Sequence, residues 1–327
     1  MNMVMIGRRG HWQYVFGSIN EVPQVKITAI SSGCEDSPDP MEIRCMEHGF
    51  TPKVYEDWRL MLDEEKPQLV CIDGPFDQHA EMCAEALKRN IHVFCEKPIA
   101  ITLEQLSGIE AALATGNARI YSMVGLRYEP SFQTAIELIR NGAIGRVKII
   151  SARKSYKLGS RPDFYKTRAT YGGTIPWVGS HAIDWIMSIA DCDVKRVWAL
   201  QSSSDNFDHG ELEISAACLF EMANGIQAQA TIDYLRPAAS PTHGDDRVRA
   251  AGTLGVIEVS RGRIMLIDKE GEREILPQAR RRLFSDIVFD LEGTRRGLID
   301  TRQTVELTRA CLTAQRAADE NRIIDVR

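Results

Sequence analysis

Six short strand-like runs, at 3–7, 25–30, 53–55, 68–72, 91–95 and 120–124, alternate with stretches of helical spacing. Helices are expected up to about 19 and over 40–49, 58–62, 78–89 and 103–113. Strands and helices in strict alternation build βαβ units, which close only as a parallel sheet with helices on its faces. The expected fold class is therefore α/β, beginning with a doubly wound parallel sheet. Such sheets take their ligands in the crevice beyond the carboxyl ends of the strands. The turns after each run are thus the places to look for chemistry.

The run at 91–95 ends in Glu96-Lys97-Pro98. Proline fixes its own φ and disfavours the α region for the residue before it, so Lys97 is held extended at a strand tip. A lysine beside a glutamate there either holds a ligand and moves a proton or forms an exposed salt-bridged loop. The first run ends in Gly7-Arg8-Arg9-Gly10-His11-Trp12 and leads into a helix. That layout points helix N–H groups at a phosphate, yet the dinucleotide fingerprint G-x-G-x-x-G is only partly present. Arg9 and Trp12 stand at the second and third glycine positions, with Gly10 one place along. The second run ends in Ser31-Ser32-Gly33, where NAD-binding sites usually carry an acid for the ribose hydroxyls. Serines there, with Arg8 and Arg9 close in sequence, point to NADP over NAD. Asp73-Gly74-Pro75 breaks the fourth strand, and His79 stands at the start of the next helix. These residues, with Glu96 and Arg127, are the candidate cofactor contacts.

Gly125-Leu126-Arg127-Tyr128-Glu129-Pro130 reads as the crossing into a second domain, so the boundaries expected are 1–124 and 125–327. A chain of 327 residues exceeds one ordinary core, which suits two domains. Helix 131–140, stopped by Asn141-Gly142, precedes a strand at 145–152 and a polar, basic loop at 155–170 that carries Arg161, Tyr165, Lys166 and Arg168. Gly172-Gly173 then allows close backbone approach, and Pro176 opens helical spacing to 189. Trp177, His181 and Asp184 fall on one face of that helix. A histidine on an apolar face is either a satisfied core residue or a proton carrier, and the aspartate at this spacing keeps the second reading open. Strands at 194–202, 212–220, 225–235, 247–252, 255–260 and 263–267 read as an antiparallel meander, open on one face, before a closing helix at 300–322. Arg280-Arg281-Arg282 is read as solvated surface.

Composition excludes several classes. A net charge of −5 argues against nucleic acid as a partner. The eight cysteines form no CxxC pair or zinc spacing, so no metal is expected and a reducing compartment is. With no signal-peptide pattern after Met1 and no long apolar span, the expectation is a cytoplasmic protein without a membrane partner.

Cys95-Glu96-Lys97-Pro98 resembles the E-K-P signature of the Gfo/Idh/MocA family of NAD(P)-dependent oxidoreductases. Gly125 to Pro130 is similar to that family's domain-crossing segment, and Asn141-Gly142-Ala143-Ile144-Gly145-Arg146-Val147 to its helix-to-strand turn. Gly172-Gly173 through Gly179, His181 and Asp184 resembles its G-G-G-x-L-x-D-x-G-x-H-x-x-D pattern. The likeness runs over essentially the whole chain. It implies a Rossmann domain, then an α/β domain whose large sheet mediates homodimers or homotetramers. It further implies an NAD or NADP cofactor and a sugar, cyclitol or related polyol substrate. By it Lys97 contacts the nicotinamide region and the substrate hydroxyl, and His181 is the general base. Tyr165, Trp177 and Asp184 join them as candidate substrate contacts. Two positions depart from the pattern. The first aspartate is Trp177, so its role passes to another residue, with Asp163 a candidate, or proton transfer rests on His181 alone. The second glycine is Arg9. A cofactor-binding sensor without turnover, and an enzyme that uses NAD transiently to cleave glycosides, are the other classes these motifs allow.

Overall fold

A computed structural model describes residues 1–278 and 281–326, and Arg280 lies outside the described residues. The chain forms two compact units. The first unit opens with β1 (Asn2–Ile6), α1 (Gln13–Ser18), β2 (Lys26–Ser31), α2 (Asp39–Glu47), β3 (Lys53–Tyr55) and α3 (Trp58–Glu65). It continues through β4 (Leu69–Ile72), α4 (His79–Lys88), β5 (His92–Cys95), α5 (Leu103–Leu113) and β6 (Ile120–Ser122). The six strands pair in parallel, in the order β3-β2-β1-β4-β5-β6. Leu69, Val70, Cys71 and Ile72 of β4 are all buried. A parallel strand covered on both faces has no polar side to show, which is why the run lacks alternation. Each such side chain contributes about 1.5–3 kcal/mol when fully buried. α5 keeps its expected bounds because a cap defines its start. The Gln105 N–H donates to Thr102 Oγ1 at 3.1 Å while Gln105 Oε1 accepts from the Ile101 N–H at 2.8 Å.

The second unit starts at Leu126. It holds α6 (Pro130–Arg140), β7 (Val147–Tyr156), α7 (Arg168–Tyr171), α8 (Ser180–Ala190), β8 (Val194–Ser202), β9 (Ser215–Met222) and β10 (Gln227–Asp233). Then come β11 (Gly244–Gly252), β12 (Gly255–Ser260), β13 (Arg263–Asp268) and β14 (Gly271–Ile275). The nine-stranded order is β14-β13-β12-β11-β7-β10-β9-β8 and finally β15 (Ile324–Asp325). Every pairing is antiparallel except β7 with β10. The meander is thus interrupted: β7, read as preceding the sheet, sits in its middle. Burial alternates along β9 and β10, with Cys218, Phe220, Ala230 and Ile232 covered. Leu200 and Leu219 lie on the uncovered face.

One feature differs from a single cut after residue 124. Arg281–Val305 belongs to the first unit, and the chain from Glu306 belongs to the second. The return segment carries α9 (Leu283–Leu291) and the start of α10 (Thr301–Glu320). α9 buries Leu283, Phe284, Ile287 and Val288, and the Phe284 ring lies 5.8 Å from that of Phe94 on β5. Asp290 accepts from the Tyr121 hydroxyl at 2.6 Å. No element is expected from the sequence over 283–291, where α9 lies.

Candidate active site

The tip of β1 is built around two buried carboxylates. Gly7 has φ +80°, and a Cβ there would lie 2.5 Å from the Asp73 carbonyl oxygen and from the backbone of Gly74. Only glycine lets the turn pass so close to the end of β4. The Arg9 N–H then donates to the Asp73 carbonyl at 2.8 Å. At Gly10 a Cβ would meet Glu96 Cγ at 2.7 Å and Asp73 Oδ1 at 2.8 Å. The space goes to acids instead. Glu96 Oε2 accepts from the His11 N–H and sits 2.8 Å from His11 Nδ1, and Asp73 Oδ2 accepts from the Trp12 N–H at 2.6 Å.

Asp73 and Glu96 are both fully buried, and two like charges this close do not ionise together cheaply. Burial, then the charge of Glu96, holds the Asp73 carboxyl well above its ordinary value. Burial pushes Glu96 the same way, but the charge and hydrogen bonds of His11, with the charge of Lys97, leave it below its ordinary value. Between the two, the negative charge thus favours Glu96 and the proton favours Asp73. Lys97 is 2% exposed, with Nζ 3.9 Å from Glu96 Oε1. A buried ammonium needs such a partner. The strand-tip lysine is not an exposed loop residue.

The other expected cofactor contacts fall into two groups. Arg8 and Arg9 sit at the rim of the turn, Arg8 donating to the Ser37 carbonyl at 3.1 Å and Arg9 to Asp36 Oδ2 at 2.8 Å. The Arg9 hydrogen bond, against partial burial, holds Asp36 below its ordinary value. Ser31 is buried, its Oγ accepting from the Gly33 N–H at 3.3 Å, and Ser32 Oγ donates to the Cys34 carbonyl at 2.6 Å, so both hydroxyls serve the turn. Pro75 (φ −60°) leads into a short turn before α4. His79 points into the fold rather than out towards a ligand. Its Nδ1 lies 2.9 Å from the Pro98 carbonyl and its Nε2 3.0 Å from the Gly74 carbonyl. The ring lies between the ends of β4 and β5, both nitrogens face backbone carbonyls, and the neutral form, which burial favours, donates to one of them.

The amides of His11 and Trp12 are taken by carboxylates, so the groups of this turn that would hold the phosphates of a dinucleotide are the guanidinium side chains of Arg8 and Arg9.

In the second unit, Ile175–Gly179 forms a π-helical turn that runs into α8. Such bulges shift the phase of a helix and recur where side chains must be aimed. Every residue of α8 is buried, His181 at 2% exposure. Arg127, expected at the cofactor, and Asp184, expected at the substrate, are brought together. Arg127 Nε donates to Asp184 Oδ2 at 3.1 Å and Arg127 Nη2 to Asp184 Oδ1, both side chains buried. Burial holds the Asp184 carboxyl above its ordinary value against the pull of Arg127. The pair ties the segment before α6 to α8.

Trp177 is buried with Tyr165 beside it, ring centroids 6.2 Å apart, and Tyr165 lies 5.0 Å from Tyr171. The Tyr171 hydroxyl is 2.8 Å from that of Tyr234. Asp163 is exposed and paired with Lys166 at 2.8 Å, which is not the setting of a buried acid supporting His181. Glu213 was missed by the sequence reading. It is buried, accepts from the Thr174 N–H at 3.0 Å and pairs with Arg168, fixing the chain ahead of the π turn. A lone glutamate preceding a strand carries no local signal for that role. Among the described residues no group of His, Cys, Asp and Glu is placed to hold a metal, and no helix is long and apolar enough to cross a membrane.

Residues 1–124 match the model of an oxidoreductase family with an NAD-binding Rossmann fold, and residues 132–258 match that of the GFO/IDH/MocA C-terminal domain. A solved oxidoreductase structure from Thermotoga maritima is 39% identical, covers 100% of both chains and superposes with a TM-score of 0.95. The uncharacterised oxidoreductase YrbE of Bacillus subtilis (strain 168) is 27% identical over 269 residues, 77% of this chain and 74% of that one. Inositol 2-dehydrogenase of Salmonella typhimurium (strain LT2) is 26% identical over 188 residues, 56% of this chain and 53% of that one. With its parallel six-stranded unit and mostly antiparallel nine-stranded unit, the chain belongs to the Gfo/Idh/MocA family of NAD-dependent oxidoreductases.

Proposed function

We propose that the chain transfers a hydride between a nicotinamide cofactor and a hydroxyl carbon of a sugar, cyclitol or related polyol, with Lys97 and His181 as its acid/base residues. The observation that carries this reading is the burial of Lys97 at the tip of a parallel strand, its head beside a charged Glu96. A cation placed there has a use beyond packing: it stabilises an oxygen that becomes alkoxide-like as hydride leaves its carbon. His181 takes or returns the hydroxyl proton, which suits an imidazole because its ordinary pKa lies near working pH. A bound nicotinamide supplies the hydride acceptor. The similarity to an inositol dehydrogenase supports a polyol as the substrate class.

For the cofactor, the reading favours NADP over NAD, with Arg8 and Arg9 meeting the 2′-phosphate as well as the diphosphate. The experiment is a titration of the full chain with NADPH and NADH, followed by tryptophan fluorescence, then turnover across a polyol panel. Lys97→Ala and His181→Ala should each lose about 10²–10⁴-fold in turnover while cofactor affinity changes little. Arg9→Ala should weaken NADPH more than NADH. Turnover retained in both alanine variants defeats the acid/base assignment, and tighter binding of NADH defeats the cofactor choice.

A further inference from the structure

The loop between β7 and α7 holds a cation to which the fold gives no countercharge. Arg161 is half-buried, its guanidinium carbon 5.3 Å from the centroid of the Tyr165 ring and 4.9 Å from that of Tyr234. Its Nε is sealed from solvent and has no hydrogen-bond partner among the described residues. Nη2 donates only to a carbonyl, that of Lys157 at 3.3 Å, and no carboxylate among the described residues pairs with it. Lys157 likewise gives its Nζ to carbonyls, of Ala238 at 2.8 Å and Ser240 at 2.5 Å. The nearby acids are engaged elsewhere, Asp246 with Lys154 at 2.5 Å and Asp163 with Lys166 at 2.8 Å. The excess positive charge registers on His243: burial, then Arg161, Lys154 and Lys157, hold that imidazole below its ordinary value, against Asp246.

A sealed guanidinium donor without an acceptor is unfavourable until something supplies one. Stacked on aromatic rings and closed off at Nε, the planar fork offers a carboxylate the hydrogens of Nη1 and the second hydrogen of Nη2. The ring of Tyr165 that carries Arg161 also meets Trp177, which stands four residues before His181. The aromatic row thus joins the cation to the turn that runs into α8, the helix that carries His181. We propose that the substrate carries a carboxylate, as an aldonate or uronate does, and that Arg161 is the residue that selects it over a neutral polyol. The proposal rests on the hydride-transfer reading only in calling the bound acid a substrate.

The test is calorimetric titration of the full chain, with and without cofactor, using D-gluconate, its neutral counterpart D-glucitol, and D-glucitol 6-phosphate. Gluconate should bind at least about tenfold tighter than glucitol. Arg161→Gln should abolish that preference without altering the cofactor titration, and Arg161→Lys should restore part of it, since it keeps the charge without the fork. Equal binding of gluconate and glucitol overturns the proposal, as do binding of neither, tighter binding of the phosphate, or unchanged gluconate affinity in Arg161→Gln. The two readings fail separately. If gluconate binds through Arg161 but yields no reduced cofactor, the anion site stands and hydride transfer falls. If a neutral polyol is oxidised while gluconate does not bind, the reverse holds.

Discussion

Asp73 and Glu96 show how one buried charge can be shared between two acids. Glu96 faces His11 and Lys97, so its ionised form is stabilised by both, whereas burial and the charge of Glu96 raise Asp73 against the backbone N–H groups it meets. Asp73→Asn should therefore change stability at neutral pH by less than about 1 kcal/mol, because the amide resembles the protonated acid. Glu96→Gln strands the buried Lys97 and should cost about 3 kcal/mol or more. The pH dependence has a definite sign. An acid whose folded pKa is raised binds more protons folded than unfolded, so stability falls as pH climbs from the ordinary carboxyl value towards the folded one. Asp73→Asn should lack that component of the decline. Denaturant unfolding of both variants from pH 4 to 8 measures it. Equal costs for the two substitutions would show that the proton is not on Asp73.

At the scale of elements, α8 is an apolar helix whose two buried ionisable side chains need a reason, and the structure supplies one for Asp184. Its partner Arg127 lies 57 residues away in the segment before α6, and the pair fixes that helix from outside its own sequence. Arg127→Met should cost about 3–5 kcal/mol by leaving a buried carboxylate unpaired, and adding Asp184→Leu should recover most of that loss. Thermal unfolding of the single and double variants decides the matter. If Arg127→Met instead weakened cofactor binding with no loss of stability, the pair would have a ligand role and not a structural one. α9 teaches the complementary lesson: its face of Leu283, Phe284, Ile287 and Val288 has helical spacing, yet this stretch is absent from the expected elements.

For the whole molecule, the nine-stranded sheet leaves one face uncovered, with Leu200 and Leu219 on it. Exposed apolar side chains on a broad, regular sheet suit association with a second copy. Sedimentation should give a mass at an even multiple of 36.7 kDa, and Leu219→Arg should lower it. A monomer at micromolar concentration in the unmodified protein would end that expectation. Within the first unit, parallel order and strand-tip turns were legible because each βαβ step is local and each buried strand reads as an apolar run. Within the second, the alternation of β9 and β10 was legible for the same reason. The parallel seating of β7 beside β10 was not, since nothing in either run states its neighbour.

The residues alone carried the periods of most helices and strands, with α9 and β14 among the exceptions, and showed which strands are buried on both faces and which turns bear charge. They also placed Lys97 at a strand tip and His181 one helical turn after Trp177. Tertiary structure decided what those side chains meet. Glu96 reaches His11 across 85 residues, Asp73 reaches Trp12 across 61, and His79 spends its ring on carbonyls instead of a cofactor. Residues 281–305 likewise rejoin the first unit through packing on β5 and β6 and through Ser285, whose N–H donates to Ser18 Oγ at the end of α1. The reason is physical. A period is written in neighbours three, four or two positions apart, whereas a buried charge takes whichever partner the finished fold brings within reach.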